Sequence, residues 1–231
     1  KEEKPDVDRH TDPGSTFDAN LERFVKETRA KGGIPVLFNS VVSRCFYQAP
    51  VENDDDEKLR KTTFAGEEKR NSDTLIDTHG AYVVAPRNVA HRLNVPFVDA
   101  TKITHDIETE LGIEGSRKLH MWFRPGECSQ IPKGRQDNTH YNVYGARLVA
   151  NALADEIGKQ VPELKKHVRH YDYVVSTRGR GNYFTLQDAV DAVPAGKRVK
   201  VLVLDGSWKK PENMKGKKIK FILQFGAKIT D

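Results

Sequence analysis

Gly32-Gly33-Ile34-Pro35-Val36-Leu37-Phe38-Asn39-Ser40-Val41-Val42 decides the fold class. Paired glycines stop whatever helix precedes them. The run from Ile34 to Val42 is apolar without alternation, which predicts a strand buried on both faces. Such strands need helices on either side, and the flanks supply them. Upstream, Ser15 or Thr16 can cap a helix to about Lys31, its stripe formed by Phe17, Leu21, Phe24, Val25 and Thr28. Downstream, Thr78 to Leu93 predicts a second helix, apolar at Tyr82, Val83, Val89, Ala90 and Leu93, with Pro86 expected to kink or break it. Val95-Pro96-Phe97-Val98-Asp99 predicts a second strand. Thr101 can cap a third helix through Ile103, Ile107 and Leu111 to Gly112. Residues 124–140 read as a loop, with Pro125, Gly126, Pro132 and Gly134. A fourth helix runs from about Asn142 to Val161 over Val143, Ala146, Val149, Ala150, Leu153 and Ile157. Helices alternating with strands in this order imply an α/β fold with a parallel sheet.

The chain has 231 residues, 38 Lys and Arg, 33 Asp and Glu, and a net charge of +5. Its hydrophobic content of 37% is low but clustered, so a core is possible. No apolar stretch reaches the roughly 18 residues of a membrane span. Two cysteines cannot staple a chain this long. The first residue is Lys1, and no signal peptide is visible, which leaves secretion open. Charge is uneven: residues 1–161 hold 23 Lys and Arg against 26 Asp and Glu, and residues 162–231 hold 15 against 7. The basic third suits a polyanion, whether nucleic acid, acidic lipid or acidic polysaccharide, or simply a solvated surface. Its lysines interleave with Ile, Val and Phe as strands do, which argues against a nucleic-acid arm.

Residues 48–74 are polar, with the cluster Asp54-Asp55-Asp56-Glu57, and read as a long loop or insertion. Pro162 ends the fourth helix, and a linker follows over 162–171. Beyond it come a strand at Tyr173–Ser176, the turn Gly179-Arg180-Gly181, a helix at Thr185–Val193, a strand at Val199–Leu204, the turn Asp205-Gly206 and a strand at Lys218–Phe225. About 60 residues are too few to close most β architectures alone.

One constellation can carry chemistry. Asp137-Asn138-Thr139-His140 places a carboxylate three residues before a histidine. The acid can turn back onto Nδ1–H, fix the tautomer and leave Nε2 to take a proton from a serine. On spacing alone, a helix-capping Asp beside a surface His is the commoner arrangement.

Context adds a resemblance. Pro125-Gly126-Glu127, Asp137-Asn138-Thr139-His140-Tyr141 and Tyr144-Gly145-Ala146 closely resemble the last block of rhamnogalacturonan acetylesterase-like enzymes of the SGNH (GDSL-type) hydrolases. Thr11-Asp12-Pro13-Gly14-Ser15-Thr16-Phe17, Ala19-Asn20-Leu21, Pro35-Val36-Leu37, Val41-Val42-Ser43-Arg44, Leu75-Ile76-Asp77-Thr78-His79-Gly80-Ala81-Tyr82 and Val95–Asp99 fit the same family, over about residues 5–161. The resemblance implies that Asp137 and His140 are the acid and base of a Ser-His-Asp triad that removes acetyl groups through an acyl-enzyme. The family's Gly-Asp-Ser nucleophile block and its oxyanion-hole Gly and Asn do not occur here. The chain is therefore expected to start after the third block, to lack three strands and to be inactive alone, with the missing half supplied in cis or in trans.

A second resemblance covers the other end. Val174-Val175-Ser176, Gly181-Asn182-Tyr183-Phe184-Thr185-Leu186-Gln187, Ala189-Val190-Asp191-Ala192-Val193-Pro194 and Asp205-Gly206-Ser207-Trp208 look like the start of pectin methylesterases (pectinesterases). In that family the segment opens a right-handed parallel β-helix. Trp208 stands where Tyr is usual, and the catalytic aspartates lie beyond what is matched. Three parts are thus expected: a partial SGNH-like parallel sheet with flanking helices over 1–161, a linker over 162–171, and an incomplete β-helix entry over 172–231.

The resemblances imply a secreted or periplasmic ester hydrolase of pectin or rhamnogalacturonan, working on cell-wall polysaccharide without a cofactor or nucleic-acid partner. The rival is a non-catalytic polysaccharide-binding remnant. Arg44, at a strand end, is either a surface arginine or a ligand for a galacturonate carboxylate. Tyr141, with Trp122 and Phe123, either stacks on sugar or packs under the loop. Cys45 and Cys128 either pair in an oxidising compartment or are two unrelated thiols. His79, His91, His105, His120, His167 and His170 show no metal spacing.

Overall fold

The computed structural model describes residues 10–48, 64, 66, 72–204 and 206–231. The acidic cluster 54–57, most of the loop expected at 48–74, Asp205 and the first residues of the esterase resemblance lie outside them. Helix α1, Thr16–Ala30, begins where the Asp12 carbonyl accepts the N–H of Phe17 and Thr16 Oγ1 accepts the N–H of Asp12. Of its expected stripe Val25 is buried, while Phe24 is 53% exposed. Strand β1 is Leu37–Phe38, far shorter than the apolar run predicts. It pairs in parallel with β2, Phe97–Val98. The rest of the run is extended but tied elsewhere. Asn39 Oδ1 accepts the N–H of Thr101, Thr101 Oγ1 donates to the Ser40 carbonyl, and Thr104 Oγ1 accepts the N–H of Val42. A helix edge, rather than a second strand, satisfies this backbone.

Helix α2, Ala81–Arg92, carries Pro86 without ending there. Val25, Ala90 and Val95 form a small core with Leu37, Leu93 and Phe97, so α1 and α2 cover the β1–β2 pair. Helix α3, Ala100–Arg117, is capped by Asp99, whose side chain accepts the N–H of Lys102, so the cap sits two residues before Thr101. Gly112 breaks its regularity at φ 66°, a left-handed conformation that suits glycine.

Residues 124–140 are not one loop. β3, His120–Phe123, and β4, Arg135–Tyr141, form an antiparallel hairpin around a long tip, residues 124–134. Helix α4, Val143–Gln160, follows, and its cap Asn142 accepts the N–H of Gly145 at 2.9 Å. Gly145 lies so close to β3 that a Cβ would stand 2.1 Å from the Leu119 carbonyl oxygen. The expected stripe is shifted: Val149 is buried, and Ala146 and Ala150 are exposed.

The expected linker begins with the short helix α5, Pro162–Lys165. Then come β5 (Tyr173–Val175), α6 (Leu186–Asp191, capped by Thr185), β6 (Arg198–Val203), β7 (Gly206–Lys209) where only a turn is expected, β8 (Lys218–Leu223) and the unforeseen β9 (Ala227–Thr230). β5, β6 and β8 make one parallel sheet, and β7 and β9 another. Arg198 stands opposite Lys218 and Gly206 opposite Ala227, both pairs parallel. Val175, Leu186, Ala189, Val193, Val199, Val201, Val203 and Trp208 form a core beneath these strands. The whole is a mixed helix and parallel-sheet α/β structure, compatible with an SGNH-like arrangement.

Candidate active site

Asp137 and His140 meet. His140 Nδ1 lies 2.9 Å from Asp137 Oδ2. The other carboxylate oxygen accepts the backbone N–H groups of Thr139 and His140, each at 2.9 Å. Asp137 is 1% exposed, whereas the imidazole is 68% exposed. Burial alone raises the pKa of this carboxyl, but the two backbone N–H groups and the imidazole outweigh it. The net shift is below the ordinary 3.8, so Asp137 is ionised at neutral pH. The Nδ1–H tautomer follows from the bond to a carboxylate, leaving Nε2 as a base. Among the described residues, no side chain hydrogen-bonds Nε2.

The geometry comes from an interruption in the hairpin. Met121 is in register with Asp137 and His120 with Tyr141, so Asn138, Thr139 and His140 bulge out without partners on β3. Bulges re-aim side chains, and this one is fastened at three points. At one end is the Asp137 carboxylate. In the middle, the Asn138 carbonyl accepts the Arg44 backbone N–H at 2.9 Å. Asn138 Oδ1 accepts Arg44 Nη1 at 2.8 Å and Trp122 Nε1 at 2.9 Å. At the other end, the Tyr141 hydroxyl donates to Glu108 Oε1 at 2.9 Å.

Arg44 therefore does not present its guanidinium to a ligand. It is 1% exposed. Nε donates to Ser116 Oγ at 2.9 Å and Nη2 to the Ile113 carbonyl at 2.7 Å. The guanidinium also lies over Phe46 and Trp122, at 5.2 and 5.7 Å from the ring centres. Its position beside Asn138 makes it a strut for the bulge. Tyr141 likewise points its phenol inward, and Trp122 packs under the bulge.

Sequence reading did not single out Glu108. Glu108 and His120 are both fully buried, with Nε2 3.0 Å from Oε1. The rings of His120 and Tyr141 lie 4.6 Å apart. Burial, and after it the Glu108 charge, pushes the Tyr141 phenol well above its ordinary value, so it stays a donor. Glu108 Oε2 and His120 Nδ1 have no partner. No local signal marks the cluster, because its members come from α3, β3 and β4. A further carboxylate–imidazole contact joins Asp77 Oδ1 to His79 Nδ1 at 2.9 Å, and Asp77 lies two residues before His79. The leucine before it, Leu75, bridges Phe46 beside Arg44.

Cys45 and Cys128 form no disulfide. Among the described residues no group of three or more His, Cys, Asp or Glu is placed to hold a metal, and no helix is long and apolar enough to cross a membrane. A groove starts two residues past His140, lined by Asn142, Tyr144, Tyr173, Arg178, Tyr183 and Phe184.

No protein-family model matches the chain. Among curated proteins it is 33% identical over 160 residues to a rhamnogalacturonan acetylesterase of Bacillus subtilis (strain 168), a match covering 69% of this chain and 59% of that protein. The chain thus spans less than two thirds of the relative's length. No solved structure matches.

Proposed function

We propose that this chain, related in sequence to a carbohydrate esterase, supplies the acid–base half of an ester hydrolase that deacetylates rhamnogalacturonan or a similar pectic polysaccharide. The observation that carries the reading is the buried, ionised Asp137 bonded to Nδ1 of an exposed His140. In acyl transfer, Nε2 takes the proton of a serine hydroxyl as it attacks the ester carbonyl. It then returns the proton to the departing sugar oxygen, and the acyl-enzyme is hydrolysed by water activated in the same way. Asp137 stays ionised and stabilises the imidazolium. The nucleophile would come from a Gly-Asp-Ser block, a motif the chain itself lacks, contributed in cis or in trans. Secretion or a periplasmic location follows from a cell-wall substrate.

For residues 172–231, a pectin methylesterase-like β-helix entry is the companion proposal. It is supported by parallel pairs β6–β8 and β7–β9 over a shared core.

The test is acetate release from acetylated rhamnogalacturonan by the full chain joined behind the N-terminal part of the Bacillus subtilis relative. Activity lost in His140→Ala and in Asp137→Ala supports the reading. A folded, active chimera indifferent to His140→Ala removes the triad assignment. A chimera that cleaves simple acetyl esters but ignores the polysaccharide removes the substrate. The rival binding remnant predicts retention on pectin with no turnover in any form.

A further inference from the structure

On the outward face of the C-terminal sheet, charge stands in rows. β6 alternates, with Arg198 and Lys200 exposed and Val199, Val201 and Val203 buried. β8 repeats the pattern, with Lys218 and Lys220 exposed. The two strands are parallel and in register, Arg198 opposite Lys218 and Lys200 opposite Lys220. Neighbouring strands lie about 4.8 Å apart, and alternate residues along a strand about 6.6 Å apart. Four cations therefore occupy the corners of a small flat rectangle.

Like charges directly opposite one another destabilise a sheet. Here two such pairs stand side by side, and no described carboxylate is ion-paired with any of the four. Asp172, just before β5, borders the rectangle on the Lys200 side, its Oδ2 accepting the Lys200 backbone N–H at 2.8 Å and its own N–H donating to the Lys200 carbonyl. A surface that only needed solubility would intersperse both signs. The buried side of the same strands is apolar, which pins the register and hence the charge rows.

We propose that Arg198, Lys200, Lys218 and Lys220 form an anchoring surface for a carboxylate-bearing polysaccharide chain lying across β6 and β8. It is separate from the Asp137–His140 pair and holds polymer rather than reacting with it. The choice of polysaccharide rests on the esterase reading above, and on what the face lacks. On β6 and β8 the remaining outward residues, Leu202 and Ile222, are aliphatic, and Val174 of β5 stands opposite Leu202, so these positions offer no aromatic platform for the bases of a single-stranded nucleic acid. The face is flat and sends no helix or ribbon into a duplex groove. A polymer with one carboxylate per repeat needs neither.

The experiment is retention of the full chain on immobilised polygalacturonate and on neutral galactan, over a range of salt, beside binding to duplex and single-stranded DNA. Retention on polygalacturonate alone, weakening as salt rises, is expected. Replacing all four cations by Gln should weaken it about tenfold or more at low salt, since each exposed pairing contributes little alone and four together are felt. A control with Lys31, Lys133, Lys165 and Lys166 replaced by Gln carries the same net charge and should bind as the parent does. Equal weakening in the two variants reduces the effect to net charge and overturns the proposal. So does absence of retention at low salt, and so does preference for DNA. Acetate release by the chimera is read separately, so loss of anchoring and loss of the esterase reading are told apart.

Discussion

Replacing Arg44 by Met separates two roles for a buried arginine. Among the described residues, the side chain donates to Ser116 Oγ, the Ile113 carbonyl and Asn138 Oδ1. A hydrogen bond to a charged group contributes about 1.5–3 kcal/mol, and part of this is offset because the guanidinium is no longer taken out of water. Ser116 Oγ still reaches the Ile113 carbonyl and Trp122 still reaches Asn138, so the acceptors are not all orphaned. Met also refills most of the space under Trp122. A net loss of about 3 kcal/mol follows, or about 6–12 °C in melting temperature for a domain of this size. In the chimeric esterase, Asn138 loses one of its fasteners, so the bulge loosens and kcat falls, while KM for acidic substrate stays near the parent value. Lys is expected to rescue little, since one ammonium cannot reach three partners spread across a planar fork. Urea unfolding and steady-state kinetics on acidic and neutral esters read both effects. A raised KM specific to acidic substrate, with kcat and stability intact, would refute the strut and restore Arg44 as a carboxylate ligand.

Two further outcomes are expected. The pKa of Asp137 is lowered on folding, as is that of Asp99, where burial opposes but Asn39, the Lys102 N–H and Arg87 prevail. Their stabilisation is therefore present above the ordinary 3.8 and lost as pH falls through the folded values. Melting temperature should drop steeply below about pH 4 and less steeply in Asp137→Asn; an unchanged slope would count against the ionised dyad. Tyr141→Phe leaves the buried Glu108 with one donor, His120, and should cost about 1–3 kcal/mol in urea unfolding, whereas a neutral effect would show that the inward phenol is not needed.

The acid–base pair was legible because three residues of spacing suffice to describe it. Its support was not. Arg44 ends an apolar run, which in sequence suggests a sheet edge and a ligand; only the pairing of its backbone with Asn138 reveals that the edge is covered. Glu108 sits in an otherwise polar helix face, and its burial depends on His120 and Tyr141, which are distant in sequence. The β3–β4 hairpin was hidden because its second strand, Arg135–Tyr141, is almost wholly polar and its tip carries four turn residues. The run Ile34–Val42 misled in the opposite direction, since apolar content predicts burial well but not a ladder partner. In the C-terminal third, the alternation that opens β6 and β8 made those strands readable, while the four-residue strands Gly206–Lys209 and Ala227–Thr230 were too short to stand out.

The bulge at Asn138–His140 also sets where this molecule tolerates change in length. Both of its ends are nailed to the interior, Asp137 by its own backbone turn and Tyr141 by Glu108. The span between them is therefore a ruler of fixed count. One residue more or less would carry the imidazole off the carboxylate or drag the phenol from its acceptor. The hairpin tip between Phe123 and Arg135 has no such fasteners to the dyad, so that is where an extra segment, natural or grafted, can be accommodated beside the site without moving it.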